Sequence, residues 1–170
     1  HGHLAAVGVA FLLAAAIVRV LRGRGYFAER PEPRLMDLLD IVALGTVADV
    51  AQLKGLNRAF VAQGLKVMSA RRNVGLNALA SAARLNRAPT CSDLGFALGP
   101  RINAGGRVGK SDLGVRLLTT ADPEEARLIA QELDRLNEER RAIEAQVQEA
   151  AEAAMATQHN RAVALVSGEG

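Results

Sequence analysis

The chain has 170 residues, of which 49% are hydrophobic but only 3% aromatic, with no tryptophan. That is room for one domain or parts of two, with a core that Ala and Leu must fill; both are strong helix formers. A net charge of +3 and a pI near 9.6 permit a polyanionic partner without requiring one, and the lone Cys91 excludes an internal disulfide and suits a reducing cytoplasm.

Both ends read as cut, since the chain opens on His1 rather than Met and stops at Gly170 just after an apolar run. Leu4 to Val18 carries no charge. It falls short of the roughly 20 residues a bilayer needs. No basic segment precedes it, so it is no signal peptide either. The expectation is a buried core helix, with no membrane. Arg19, Arg22 and Arg24 suit its C-terminus, and Gly23 or Gly25 can end it. Arg30-Pro-Glu-Pro33 reads as a linker. Leu35 to Val47 is an apolar helix carrying Asp37 and Asp40. Asn57 to Ser69 is amphipathic, with Phe60, Val61, Leu65 and Met68 near helical spacing. Gly75 to Leu85 follows, and Thr90 or Ser92 can cap a short helix to Leu98. Residues 99–110 are expected to form a glycine-rich basic loop, and Ser111-Asp112 opens another short helix to Leu118.

Asp122-Pro-Glu-Glu125 is a strong helix start: a capping acid, Pro in the first turn, then two acids at the positive end of the dipole. No breaker follows until about Thr157, so the helix should run for about 50 Å at ~1.5 Å per residue. Ile129, Leu133, Leu136, Ile143, Val147 and Ala154 recur near a coiled-coil period, interrupted by Arg140. A coiled coil is one reading; a connector helix between two domains is preferred. The preference rests on the apolar run 161–167, bounded by Gly168 and Gly170, which looks like the first strand of a further domain.

Two segments carry chemistry. In Leu39-Asp-Ile-Val-Ala-Leu-Gly-Thr-Val-Ala-Asp-Val50, Asp49 stands at the end of an apolar helix. The negative end of the dipole disfavours a carboxylate there, and a divalent cation would compensate it. A solvated or capping acid is the plainer alternative. In Gly99-Pro-Arg-Ile-Asn-Ala-Gly-Gly-Arg-Val-Gly-Lys110, small residues let the backbone approach an anion, while Arg101, Arg107 and Lys110 supply charge. The alternative is a surface turn with incidental charge. The spacing is not that of a Walker loop.

Together, LDIVALGTVADV, LNRAFVAQGL, LGPRINAGGRVG and LDRLNEERRAIE, in this order and spacing, resemble the RecJ-type exonucleases of the DHH phosphoesterase family. The resemblance covers nearly the whole chain, and GPRINAGGR is its most specific part. It implies a mainly α segment: the helical part of an α/β DHH catalytic domain (1–119), a long connector helix (120–158) and the first strand of an α/β DHHA1 domain (159–170). It implies a cytoplasmic enzyme of DNA repair and recombination that degrades single-stranded DNA from the 5′ end with two Mn²⁺ or Mg²⁺ ions. Single-strand-binding protein and a helicase are the partners it suggests. Asp49 matches the family's last metal-binding aspartate. Asn103 and Arg107, with Arg101 behind them, match residues that border the site and would contact phosphate or DNA. The family's Asp-x-Asp, further Asp and Asp-His-His motifs are absent, and His1-Gly2-His3 does not replace them. The segment alone is therefore expected to be inactive. Two other functions stay open: a nano-RNase or nucleotide phosphatase of the DHH family, and a non-catalytic helical adaptor.

Overall fold

The computed structural model describes residues 2–108 and 110–156. The described residues form helices joined by short turns, with no strand among them. The strand expected near 162–167 lies outside the described residues.

Helix α1 spans Ala6–Gly23 and stops where the sequence places its glycines; Gly25 turns the chain at φ +71°. It packs on one side only. Leu4, Val7, Phe11 and Leu12 meet Leu39, Val42 and Phe60, with the Phe11 and Phe60 rings edge to face at 5.3 Å. The expectation of a buried core helix fails on the other side. Val9, Leu13, Ile17 and Val20, at helical spacing, are each about half exposed, and only Gly8 and Val18 of α1 are buried. The reason is geometric: among the described residues α1 packs chiefly on elements before Ser69, and they cover a single face. By length and composition α1 also passes as a membrane span, a property it shares with core helices of soluble proteins.

A 3-10 turn at Leu35–Leu38 leads into α2, Leu39–Ala48, whose Leu39, Val42, Ala43, Leu44 and Thr46 are buried. Helix α3, Gly55–Ser69, crosses α2 at close range. A Cβ on Gly64 would stand 2.1 Å from the Leu39 carbonyl oxygen and 2.5 Å from the Ala43 Cβ. Neither can yield, because one is backbone and the other is held in α2. Gly64→Ala should therefore force the helices apart and cost about 1–3 kcal/mol, the usual penalty for overpacking, read as a lower midpoint in urea unfolding.

Helix α4, Val74–Ala82, is capped by the Asn73 side chain, which accepts from the Leu76 amide at 2.8 Å. Thr90 caps the short α5, Cys91–Asp93, as one of the two residues proposed for that role, and Asp93 answers it in a capping box. A π-helical turn at Leu94–Leu98 then runs directly into α6, Gly99–Val108. This corrects the sequence reading, which took 99–110 as a loop. Gly105 is there for close packing: a Cβ on it would stand 2.9 Å from the Leu133 Cδ2. The neighbouring Ala104 is buried as well, so the small residues seat α6 against the long helix.

Helix α7, Leu113–Thr119, precedes α8, Pro123–Ala156, which is unbroken over 34 residues. Asp122 caps it, accepting from the Glu124 amide at 2.9 Å. Its first half closes the core with Ala126, Ile129, Ala130, Leu133 and Leu136, packed on α4, α6 and α7. Beyond Asn137 the burial ends, and 141–150 are exposed all round. The outer half is held by exposed ion pairs such as Arg141–Glu138 and Arg140–Glu144, together with its helix propensity.

Candidate functional site

Asp49 is the C-cap of α2 and is exposed. Its carboxylate has no ion-pair or hydrogen-bond partner among the described residues. The turn that holds it is a Schellman motif: the Val50 amide donates to the Val47 carbonyl at 3.0 Å, and the Ala51 amide to the Thr46 carbonyl at 3.2 Å. Such motifs place the residue after the cap in the left-handed region, usually as glycine. Here that residue is Val50, at φ +53° and 89% exposed. A β-branched residue there is a strained position, costing about 1–2 kcal/mol. Val50→Gly should raise stability by up to about 1 kcal/mol, the relief being partly offset by glycine's freer unfolded chain. A shift of the denaturation midpoint to higher urea would verify it.

The strand of chain that follows is fixed by Asn57. Its side-chain amide, fully buried, donates to the Gln52 carbonyl at 3.0 Å and to the His3 carbonyl at 2.7 Å. The turn carrying Asp49 is thus held from two sides, by the helix cap before it and by α3 after it.

A shallow hollow of about 340 Å³ opens beside this turn. Gly45, Ala48 and Asp49 of α2 line one side, Ile102 and Asn103 of α6 the other. Two sequence-predicted residues, Asp49 and Asn103, therefore share one cavity, although 54 positions separate them. Arg107 does not line it. It lies one helical turn beyond Asn103 on the same exposed face of α6, with no ion-pair partner among the described residues. Arg101 faces α8 instead. Its Nε donates to Asp134 Oδ1 at 2.8 Å and its Nη1 to the Ala97 carbonyl at 2.7 Å, with the side chain 14% exposed. The guanidinium is thus committed to fixing α6 on the long helix.

Sequence reasoning passed over Val50 and Asp134. The signal for Val50 was present: no glycine follows the end of α2 closely enough to take the left-handed position. Nothing in the sequence pairs Arg101 with a residue 33 places away.

Described residues contain no group of three or more His, Cys, Asp or Glu close enough to hold a metal ion. The described residues alone therefore do not make up a complete metal site.

No protein-family model matches the chain. Among curated proteins it is similar to the single-stranded-DNA-specific exonuclease RecJ of Dickeya dadantii, 49% identical over 149 residues, covering 85% of this chain and 26% of that protein. The RecJ of Escherichia coli is 47% identical, over 83% of this chain and 25% of its own length. Over most of its own length the chain is similar to RecJ exonucleases, and it spans about a quarter of theirs. Solved structures agree. RecJ of Thermus thermophilus in complex with Mg²⁺ matches with a TM-score of 0.65 at 37% identity, covering 75% of this chain and 20% of that one. RecJ from the same organism in complex with Mn²⁺ gives 0.63 at 38%, covering 74% and 19%. The chain spans about a quarter of the length of the curated relatives and a fifth of the solved structure it matches.

Proposed function

We propose that the protein carrying this segment is a 5′-to-3′ single-stranded-DNA exonuclease, and that the segment supplies one wall of its active site. One observation carries the proposal. The unpaired carboxylate of Asp49 opens into the same hollow as Asn103, from the GPRINAGGR string that is most specific to the RecJ resemblance. An acid at a helix C-terminus is disfavoured by the dipole, and a divalent cation would offset it. The RecJ structures in complex with Mn²⁺ and Mg²⁺ supply the candidates.

In this reading Asp49 holds a divalent ion together with ligands from the rest of the protein. When bound, two such ions would lower the pKa of the attacking water and stabilise charge on the phosphoryl oxygens. Asn103 presents its amide to the phosphate or sugar of the strand in the hollow. Arg107, one turn along α6, offsets phosphate charge and orients the backbone through its planar fork. Arg101 acts indirectly, by fixing α6 on α8 through Asp134. Residues 1–119 would then be the helical part of the DHH domain, 120–158 the connector and 159–170 the opening of DHHA1. The unbroken, half-projecting α8 supports the connector. A cytoplasmic location and partnership with single-strand-binding protein and a helicase follow from the same reading. The segment by itself should be inactive, because a two-metal site needs several ligands in one place and the described residues hold no such group around Asp49.

The test is a comparison of substrates on the full-length protein with Mn²⁺ or Mg²⁺. Loss of single-stranded oligonucleotides from the 5′ end, with duplex ends resistant and chelator abolishing the reaction, is the expected result. Metal-independent cleavage, or equal attack on duplex DNA, would overturn it.

A further inference from the structure

The π-helical turn ahead of α6 displays an aromatic ring that no described residue buries. Leu94 and Leu98, at its two ends, are fully buried, while Phe96 between them is 86% exposed. Burial of a phenylalanine is ordinarily favourable by about 1.5–3 kcal/mol, so this ring has apolar area to give to a ligand. A π-turn adds one residue to a helical turn and recurs where a side chain must be re-aimed.

Its position is informative. The turn lies against the last turn of α2, the one that ends in Asp49. A Cβ on Gly95 would be 3.5 Å from the Val47 Cγ1, and one on Gly99 3.1 Å from the Ala48 Cβ. Glycine at both places lets the backbones come close, and Phe96 emerges beside that junction. Along the continuous helical path Phe96 is followed by Asn103 and Arg107, both exposed. Seven and eleven residues on, they fall on roughly the same face. The stripe is about 16 Å long at ~1.5 Å per residue. At one end of it stands the bare ring; further along stand Asn103, which shares its hollow with Asp49, and Arg107, with no ion-pair partner among the described residues.

We propose that Phe96 is a stacking platform for one unpaired base of the single strand, set beside the last turn of α2 while Asn103 and Arg107, on the same helical face, follow the backbone. The inference rests on the exonuclease reading and deepens it, because it names a source of strand selectivity. A single strand offers both faces of its bases to an aromatic ring, whereas in a duplex those faces are already stacked on one another. Stacking of this kind tolerates any base, which suits an enzyme that must move through all sequences. The residue touches substrate away from the reacting phosphate, so it should govern binding rather than the chemical step.

The experiment uses the full-length protein and its Phe96→Ala, Phe96→Leu and Phe96→Trp variants. Binding of a single-stranded oligonucleotide is followed by fluorescence anisotropy without metal, and KM and kcat are measured with metal. A second oligonucleotide carries abasic residues near its 5′ end. Alanine and leucine should each weaken binding and raise KM by roughly 5- to 150-fold, with kcat changed by less than about 2-fold, while tryptophan binds like wild type. Abasic substrate should weaken wild type by a similar factor and leave Phe96→Ala no worse than it already is. Wild-type affinity in Phe96→Leu would mean that the ring packs against protein, and would overturn the proposal. So would an unchanged Phe96→Ala in a wild-type background that degrades single strands. A wild-type protein that neither binds nor degrades single strands would sink the exonuclease reading itself and this inference with it.

Discussion

Replacing Asp49 by alanine in the full-length protein should lower the rate of single-strand degradation by about 10³-fold or more. A ligand to a catalytic cation underwrites several kcal/mol of charge stabilisation in the transition state, and each ~1.4 kcal/mol is tenfold in rate. The same substitution should leave stability unchanged or slightly raised. Asp49 is exposed, makes no described contact with its carboxylate, and sits at the negative end of α2. Removing an acid from such a position is worth about 0.3–1 kcal/mol in the protein's favour. The combination distinguishes a functional carboxylate from a structural one, since a structural acid would lose stability and activity together. Asp49→Asn should behave like alanine in rate, as it keeps the shape and loses the charge. Turnover near wild type in either variant, measured with saturating Mn²⁺, would remove Asp49 from the site.

The parts of this fold that were legible in the sequence are those governed by local chemistry. The start of α8 was marked by Asp122-Pro123-Glu124-Glu125, and the helix begins at Pro123 in the structure; its expected end near Thr157 lies outside the described residues. A cap at Thr90 or Ser92 was legible for the same reason, and the structure takes Thr90. The α6 segment misled because its glycines are ambiguous in one dimension. Glycine permits a loop, but it also permits close approach between helices, and only the presence of Leu133 against Gly105 decides for the second. Burial of α1 was not legible at all. Its apolar composition is that of a core helix, yet what covers it depends on chain that packs from elsewhere, and the elements present cover one side. Of the candidate site, the juxtaposition of Asp49 with Asn103 was expected through the resemblance and not from spacing. The hollow they share requires the α2–α6 contact, which no local pattern encodes.

Arg107→Ala in the full-length protein should cost roughly 10²–10³-fold in rate, the scale of losing one donor that acts on transition-state charge. Arg107 stands on the exposed face of α6, one turn from Asn103, and has no described ion-pair partner to satisfy it within the segment. Arg101, six residues earlier, shows the contrast: its guanidinium is already spent on Asp134 and the Ala97 carbonyl. Loss of Arg101 should therefore act through the seating of α6, lowering stability as well as rate, whereas loss of Arg107 should lower rate alone. Within a helix, Arg107 cannot swing toward Asp49 by backbone folding, as a loop would allow. Its reach depends on its long side chain and on the strand lying along the α6 face. That geometry makes the charge and the planar fork separable. Arg107→Lys keeps the charge on a shorter, single-headed group, so it should restore part of the rate and leave a deficit of roughly tenfold or more. Raised salt should weaken binding by the wild type more steeply than by Arg107→Ala, because one phosphate contact fewer releases fewer counterions. Unchanged degradation in Arg107→Ala, with an unchanged salt slope, would show that this guanidinium is an idle surface charge.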